Sequence, residues 1–151
     1  MNNKNKTKIS YTLLRVMNKL FEVDKKTRSY GTDKQLYEAE IHMIKSIKEN
    51  EGIHVTGLAE ILGVTKGAVS QILIKLDKKG MLIKDKDINN QSRLVLKLTP
   101  KGELAYIHHE KLHQEFDDLV NGILRDASEE KKLFLKNFLK ALETGIDFQG
   151  E

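Results

Sequence analysis

Residues 64–83 read VTKGAVSQILIKLDKKGMLI, and they decide the fold of this chain. Apolar residues recur from Ala68 to Leu76 at the spacing of one helix face. Gly80 then ends the helix, and Met81-Leu82-Ile83 leads into an apolar strand. A short amphipathic helix that leads directly into a hairpin is typical of a winged helix-turn-helix. The stretch therefore predicts a protein that binds a partner rather than one that catalyses a reaction.

The two faces of this helix differ in chemistry. When residues 65–79 are wound at about 100° per residue, one face is apolar and turns toward the core. That face carries Ala68, Val69, Ile72, Leu73 and Leu76. The opposite face carries Lys66, Gly67, Ser70, Gln71, Ile74 and Lys78, with Lys75 at its edge. Because a solvated face has no need of an isoleucine, Ile74 indicates that this face meets a partner.

The residue types on the outer face suit the major groove of DNA. Gln71 can pair with adenine, and Ile74 can contact a thymine methyl group. Gly67 allows a close backbone approach at the helix start, where amide groups attract phosphate. Lys75, Lys78 and Lys79 are expected to contact phosphates, which adds affinity without sequence information. The predicted DNA-binding residues of this segment are Thr65, Lys66, Gly67, Ser70, Gln71, Ile74, Lys75 and Lys78.

A basic hairpin follows the helix. Residues 82–86 and 94–98 read as strands, and 87–92 read as the loop between them. Arg93, just after the loop, is placed to enter a narrow minor groove. Lys84 and Lys86 have two equal interpretations, as DNA contacts or as solvated residues of an edge strand.

Charge and composition agree with a nucleic-acid partner. Residues 65–101 contain nine basic and three acidic residues, a net charge of +6, so that the rest of a chain of net charge +4 carries −2. The absence of cysteine excludes disulfides, thiolate catalysis and cysteine-type zinc sites, and fits a reducing cytoplasm. No apolar run approaches the length of a membrane span, and the polar segment 1–8 is not followed by a signal-peptide core.

The remaining chain reads as helices around this unit. Their expected ranges are 9–28, 36–50, 57–62 after a cap at Thr56, 100–124 after the Thr99-Pro100 start, and a last helix that opens at Ser128-Glu129-Glu130 and ends at Gly145. The predicted fold is mainly α with a small β-hairpin wing, in the order α-α-α-α-β-β-α-α.

The terminal helices are apolar although they flank a small winged core. One protomer would bury them poorly, whereas a symmetric dimer with interlocked terminal helices would bury them well. The expected organisation is an N-terminal dimerisation helix in 1–35, a winged helix-turn-helix DNA-binding domain in 36–99, and C-terminal dimerisation helices in 100–151.

With these features the sequence resembles the MarR family of transcription regulators over nearly the whole chain. The resemblance is carried by Leu58-Ala59-(x3)-Gly63-Val64-Thr65-(x2)-Ala68-Val69-Ser70, by Leu76-(x3)-Gly80-Met81-Leu82 and by Leu98-Thr99-Pro100-Lys101-Gly102. It implies a homodimer that binds palindromic operators, represses transcription and releases DNA on binding a small ligand or a metal. The family wing usually carries an Asp-Arg-Arg run, whereas this chain has Asn90-Gln91-Ser92-Arg93.

Three of the five histidines lie in one expected helix. His109-Glu110-Lys111-Leu112-His113 matches the H-E-x-x-H pattern of zinc proteases, but three fixed letters without a clear third ligand are a weak signal. His54 and His108 read as surface or packing residues.

The MarR resemblance implies a different use of the histidines, as a regulatory zinc site. Zinc-responsive members take a carboxylate from the first helix, a His from the second and two His four residues apart from the fifth. The matching positions are Asp24, His42, His109 and His113, with Asp in place of the longer Glu. Zinc would act as a corepressor, and a hydrophobic ligand in the same crevice would act oppositely. The alternative is that these histidines only form hydrogen bonds at an interface.

We expect a cytoplasmic, homodimeric regulator that binds double-stranded DNA sequence-specifically, under the control of a metal or small-molecule effector. No cofactor is required for the fold, and no membrane is a partner. Two alternatives remain from the residues alone: a winged-helix module that binds proteins, and, more remotely, a zinc-dependent hydrolase.

Overall fold

The computed structural model describes residues 8–90 and 93–146, without the side chains of residues 26 and 27. The described part contains six helices and one two-stranded sheet in the predicted order. Their bounds are α1 Ile9–Thr27, α2 Glu38–Glu49, α3 Val55–Leu62, α4 Lys66–Lys78, β1 Leu82–Lys86, β2 Leu94–Leu98, α5 Pro100–Ile123 and α6 Glu129–Ile146. The predicted loop residues Gln91 and Ser92, together with segments 1–7 and 147–151, lie outside the described residues.

Helices α3 and α4 form the helix-turn-helix. Gly63 ends α3 in the left-handed conformation with φ of 63°, which glycine adopts without steric cost. Thr65 then caps α4, because its Oγ1 accepts a hydrogen bond of 3.1 Å from the Ala68 amide. The two helices meet at a bend of 109°, within the range of helix-turn-helix units.

The end of α4 is fixed where the hairpin begins. Gly80, with φ of 72°, donates to the Asp77 carbonyl at 2.9 Å, and Met81 donates to the Leu76 carbonyl at 2.9 Å. The antiparallel pairing then runs from Leu82 opposite Leu98 to Lys86 opposite Leu94, as the two predicted strands require.

Thr99 joins the end of the hairpin to α5. Its amide donates to the Met81 carbonyl at 3.0 Å, and its hydroxyl donates to the Gly80 carbonyl at 2.6 Å. The same hydroxyl oxygen caps α5 by accepting from the Gly102 amide at 3.1 Å. Gly102 packs so closely here that a Cβ would lie 2.1 Å from the Met81 carbonyl oxygen.

The core lies between α2, α3, α4 and the hairpin. Side chains from all four parts are almost completely inaccessible to solvent, and they anchor α4 by its apolar face. The largest of them are Leu36, Ile41, Met43, Ile44, Leu58, Val69, Leu76, Met81 and Leu96. By contrast, α6 has no buried residue.

Two predicted helix starts were wrong, and the predicted ends of α1, α2, α5 and α6 each differ from the observed end by one residue. Helix α3 begins at Val55 after His54, not after a cap at Thr56, and it gains no side-chain cap. Helix α2 begins at Glu38 rather than Leu36, because the Tyr37 amide donates to the Glu40 carboxylate at 2.8 Å and marks the helix start. Helix α6 continues to Ile146, one residue beyond the predicted stop.

The chain divides into two compact units, Met1–Glu110 and Lys111–Glu151. The division falls inside α5, so the functional partition at residues 35 and 99 stays a prediction. Among the described helices none alone is long and apolar enough to cross a membrane, and only the bent pair α3 and α4 together reaches that length and composition.

Candidate nucleic-acid interface

Helix α4 presents the two faces that its sequence predicts. Val69, Leu73 and Leu76 are buried, and Ala68 and Ile72 are half-buried beside them. The opposite face is exposed along its whole length, and Ile74 remains 41% accessible on it. The exposed residues are Thr65, Lys66, Gly67, Ser70, Gln71, Ile74, Lys75 and Lys78. The structure thus brings together on one surface every predicted DNA-binding residue of this segment.

The basic residues of residues 65–101 fall into two groups. Four are held by carboxylates in ion pairs: Lys79 with Glu40, Lys84 with Asp77, Lys97 with Asp85 and Lys101 with Asp33. The other five are exposed and make no ion pair with any residue that the structure describes: Lys66, Lys75, Lys78, Lys86 and Arg93. The second group occupies the outer face of α4 and the wing, so positive charge is available there.

Lys79, which was predicted to contact phosphates, is held by a buried carboxylate. Its Nζ lies 2.8 and 2.7 Å from the two carboxylate oxygens of Glu40 and 2.8 Å from the Gln35 carbonyl. It also sits 5.2 Å from the ring centroid of Tyr37. Glu40 is only 2% accessible, so this ion pair ties the end of α4 to the start of α2 from inside the fold.

Glu40 could have been noticed in the sequence. It lies four residues after Leu36 and three before Met43, in the apolar stripe of α2. A carboxylate at such a position requires a partner when it is buried. The sequence does not say which lysine supplies it, because Lys79 is 39 residues away.

The wing is an exposed hairpin with its charges arranged unevenly. Lys84 is drawn toward Asp77 of α4 at 3.4 Å, whereas Lys86 and Arg93 remain exposed near the loop. The Asp87 amide donates to the Arg93 carbonyl at 3.0 Å, which closes the loop beyond the last strand pair. The described part of the wing therefore offers two cations, one on each side of its loop.

His54 contacts the wing, although it was predicted to be a surface or packing residue. Its Nδ1 lies 3.1 Å from the Leu94 carbonyl oxygen, and its Nε2 lies 3.2 Å from Asp87 Oδ2. No local pattern signals this role, because the partners are 33 and 40 residues away in sequence.

The histidines named as metal ligands are only partly brought together. His109 is 5% accessible and packs edge-on against His42, with ring centroids 5.8 Å apart, and against Tyr30 at 5.7 Å. Asp24 forms an ion pair with Arg28 at 3.3 Å. Exposed His113 follows in α5, four residues after His109. Among residues 8–90 and 93–146, no three His, Asp or Glu side chains are grouped to hold a metal ion. The zinc set of Asp24, His42, His109 and His113 therefore stays a prediction.

A charged network lies beside these rings between α2 and α5. Lys45 Nζ lies 2.6 Å from Glu110 Oε1 and 2.8 Å from Glu49 Oε1. The hydrogen bond from Lys45 is the largest cause that lowers the pKa of the Glu110 carboxyl, and His109 adds to it. The same hydrogen bond raises the pKa of Lys45. Glu110 is therefore a charged structural partner, not a poised general base.

A cavity of about 480 Å³ opens between α2, β2 and the start of α5. Ile47 and Leu96 contribute apolar surface, and the ion pair between Lys48 and Glu103, 2.9 Å long, contributes charge. Its size is within the range of small-molecule sites.

Comparisons with known proteins point to one family. A family model described as the MarR family matches residues 36–91. The uncharacterized HTH-type transcriptional regulator YhjH of Bacillus subtilis is 31% identical over 123 residues, which are 82% of this chain and 70% of that protein.

Solved structures share the fold. The structure of Streptococcus pneumoniae FabT in complex with DNA has a TM-score of 0.68 at 24% identity and covers 93% of this chain and 96% of its own. The adhesin competence repressor of Streptococcus pyogenes, AdcR, has a TM-score of 0.70 at 19% identity over 92% of this chain and 98% of its own.

Proposed function

Because this chain belongs to the MarR family of winged-helix transcriptional regulators, we propose that it binds a palindromic operator as a homodimer and represses transcription under the control of an effector. The chain is a DNA-binding transcriptional regulator and not an enzyme, so the H-E-x-x-H match of His109 and His113 is fortuitous. The observation that carries the proposal is the exposed outer face of α4, whose basic residues are not neutralised by the carboxylates nearby.

The residues of this face divide by role. Ser70, Gln71 and Ile74 lie on its middle, and we assign to them the contacts with base edges in the major groove. Thr65, Lys66 and Gly67 lie at the helix start, where backbone amides favour phosphate. The backbone of the DNA is held by Lys75 and Lys78 from the helix and by Lys84, Lys86 and Arg93 from the wing. Of these residues, Lys84 has the least support as a DNA contact, because it forms an ion pair with Asp77.

The homodimer is proposed from the apolar surface of the terminal helices. Phe21 of α1 and Phe134 of α6 are among the large apolar side chains that one chain leaves exposed. We assign residues 1–35 and 100–151 to dimerisation and 36–99 to DNA binding. Two-fold symmetry would place the two α4 helices in successive major grooves, about 34 Å apart, and so would require a palindromic site.

The test combines selection of a DNA site with a salt titration. A duplex selected from a random pool with the wild-type protein should bind with an affinity that falls by about 10³-fold or more between about 50 mM and 200 mM salt. A protein-binding module predicts a flat response, and that result would refute the proposal.

Two substitutions locate the interface on the selected duplex. Gln71→Ala should relax the base preference at one position of each half-site and lower affinity by about tenfold. Lys136→Gln, which changes an exposed lysine of α6, is the control and should leave binding unchanged. Equal losses in both variants would contradict the assignment to α4.

Repression and the effector are the finer part of the proposal. The AdcR structure, whose protein is named a repressor, and the cysteine-free sequence are consistent with a cytoplasmic repressor. A small organic effector has a candidate location in the cavity beside Leu96, because movement of β2 would change the wing.

A metal effector is the second candidate, favoured by the edge contact of His42 and His109. Asp24, His42, His109 and His113 would hold zinc, and Asp24 would first have to leave Arg28. Elemental analysis of the purified protein and a zinc titration of DNA binding test this. His109→Ala and His113→Ala should each abolish zinc-dependent binding, whereas binding that is unchanged by a chelator would exclude it.

A further inference from the structure

We propose that His54 is a positioning residue that fixes the outer end of the wing, and that it does so fully only as an imidazolium. The inference rests on the proposed function, since the wing matters for DNA binding. It goes beyond that function because His54 itself contacts no DNA in the proposed arrangement and acts through the hairpin.

The hairpin is held at two ends. Thr99 closes its inner end by hydrogen bonds to the carbonyls of Gly80 and Met81. At its outer end the last strand pair joins Lys86 to Leu94, and the loop begins at Asp87. His54, the residue before α3, reaches that outer end and contacts both sides of it, at the Leu94 carbonyl and at Asp87.

The two contacts dictate the protonation of the ring. A carbonyl oxygen only accepts, so Nδ1 must carry the proton that it donates to Leu94 at 3.1 Å. In a neutral imidazole the other nitrogen would then be a bare acceptor, facing the carboxylate oxygen of Asp87 at 3.2 Å. Two acceptors at this distance repel, whereas a protonated Nε2 makes a charge-assisted contact. Only the imidazolium satisfies both sides.

Charged groups of both signs lie around His54. From the hairpin, the full negative charge of Asp87 faces Nε2, and Asp87 Oδ1 is meanwhile occupied by the Asn89 amide at 2.8 Å. The side chains of Lys86 and Arg93 are exposed next to the two contacts, and Glu51 precedes His54 by three residues. These two cations and the start of α3, which carries about half an elementary charge, oppose an imidazolium. Asp87 is the charged group in direct contact with the ring.

The consequence is a wing whose position depends on whether Nε2 of His54 carries a proton. When the proton leaves Nε2, the contact with Asp87 is lost while the contact with Leu94 remains. Arg93 and Lys86, which flank these two partners, are then less well positioned toward DNA.

The test has one arm without DNA. Nitrogen-15 spectra of the imidazole rings, recorded over a range of pH, should show His54 with Nδ1 protonated throughout, and with Nε2 also protonated at the acid end of the range. The amide signals of Asp87 and Leu94 should follow the same midpoint, and Asp87→Asn should remove this coupling. A ring protonated only at Nε2, or a hairpin that does not follow it, would overturn the inference.

The second arm measures affinity for the selected duplex at about pH 6 and about pH 8. Between these two pH values the affinity of the wild-type protein should fall, and the factor of this fall should be about three times that of His54→Gln. The glutamine keeps a donor for the Leu94 carbonyl but does not titrate. His108→Asn, at an exposed histidine of α5, should keep the wild-type profile. Equal falls in wild type and His54→Gln, or a flattened profile in the control, would overturn the inference.

Circular dichroism should show His54→Gln to be folded, and if it is not, Asp87→Asn replaces it in the affinity arm with the same expected loss. Absence of salt-dependent DNA binding would refute the proposed function instead. In that case the spectra without DNA still decide whether His54 holds the wing.

Discussion

The winged segment, from α2 to β2, and the terminal helices α1, α5 and α6 differ in how far they bury their apolar residues. From α2 to β2, large aliphatic side chains such as Leu58 and Leu76 are completely inaccessible. In α6 no residue is buried, and Phe134 is 73% accessible. The two regions are nevertheless similar in apolar content along the sequence.

We infer from this difference that the two regions are completed by different partners. The winged segment finds its apolar partners within 36–105 of the same chain, so one copy is enough to define it. The described residues of the terminal helices leave comparable stripes exposed, such as Phe21 and Phe134, and an exposed apolar surface of that extent is typical of an interface. In the proposed dimer, the winged segment is complete within one chain, and the terminal helices form the interface.

Truncating one side chain in each region tests most directly whether the two regions use their apolar residues differently. Leu76→Ala should lower the free energy of unfolding by about 3 kcal/mol at any protein concentration, because it leaves a cavity in the core. Phe134→Ala should act mainly by raising the dissociation constant of the dimer, measured by sedimentation. Comparable, concentration-independent losses from both would contradict the distinction.

The neighbouring residues Lys78 and Lys79 are expected to differ in role, with Lys79 acting on stability and Lys78 on DNA binding. Lys79→Met should destabilise the protein by about 3 kcal/mol, because it leaves the buried Glu40 carboxylate without its cation. Lys78→Met should change stability by less than about 0.5 kcal/mol but reduce the salt slope of DNA binding by about 1. Denaturant unfolding and salt titrations of both variants measure this, and reversed effects would disprove the assignment.

Two glycines of α5 sharpen the contrast along a single helix. Gly102→Ala should cost about 2 kcal/mol, because its Cβ would meet the Met81 carbonyl oxygen and force the backbone apart. A Cβ at Gly122 would meet no neighbouring atom within 4 Å, so Gly122→Ala should stabilise the helix by about 0.5 kcal/mol. Thermal unfolding compares them, and a neutral Gly102→Ala would show that this junction is loose.

The smallest expected effect is the pH dependence of the Lys45–Glu110 pair. Because Lys45 lowers the pKa of Glu110 in the folded state, the pair contributes stability above the unfolded carboxyl pKa of about 4.3 and loses it as pH falls through the folded value. The side chains are about one third exposed, so the contribution is a few tenths of a kcal/mol.

Lys45→Met measures this contribution. Its stability deficit should shrink on acidification, whereas Lys111→Met, at the exposed pair with Glu115, should show no such trend. A deficit that is constant with pH would mean that Lys45 contributes packing alone.

The features that the sequence predicted depend on short-range order. Thr65 and Thr99 mark the starts of their helices in the sequence because a cap acts over three residues. The two faces of α4 follow from helical spacing. The start of α3 was missed because His54 makes no side-chain cap. The partners of Lys79 and His54 were missed because each lies more than 30 residues away, where no periodicity reports a contact.

The closure of the hairpin by Thr99 has a consequence for how this protein can change. Thr99 is hydrogen-bonded to the carbonyls of Gly80 and Met81, so the hairpin begins and ends at the same place in the fold. Lengthening or exchanging the loop beyond β1 and β2 displaces neither the end of α4 nor the start of α5, and closing a longer loop costs little entropy. The loop of the wing can therefore be exchanged, and a proposed groove contact altered, without rebuilding α4.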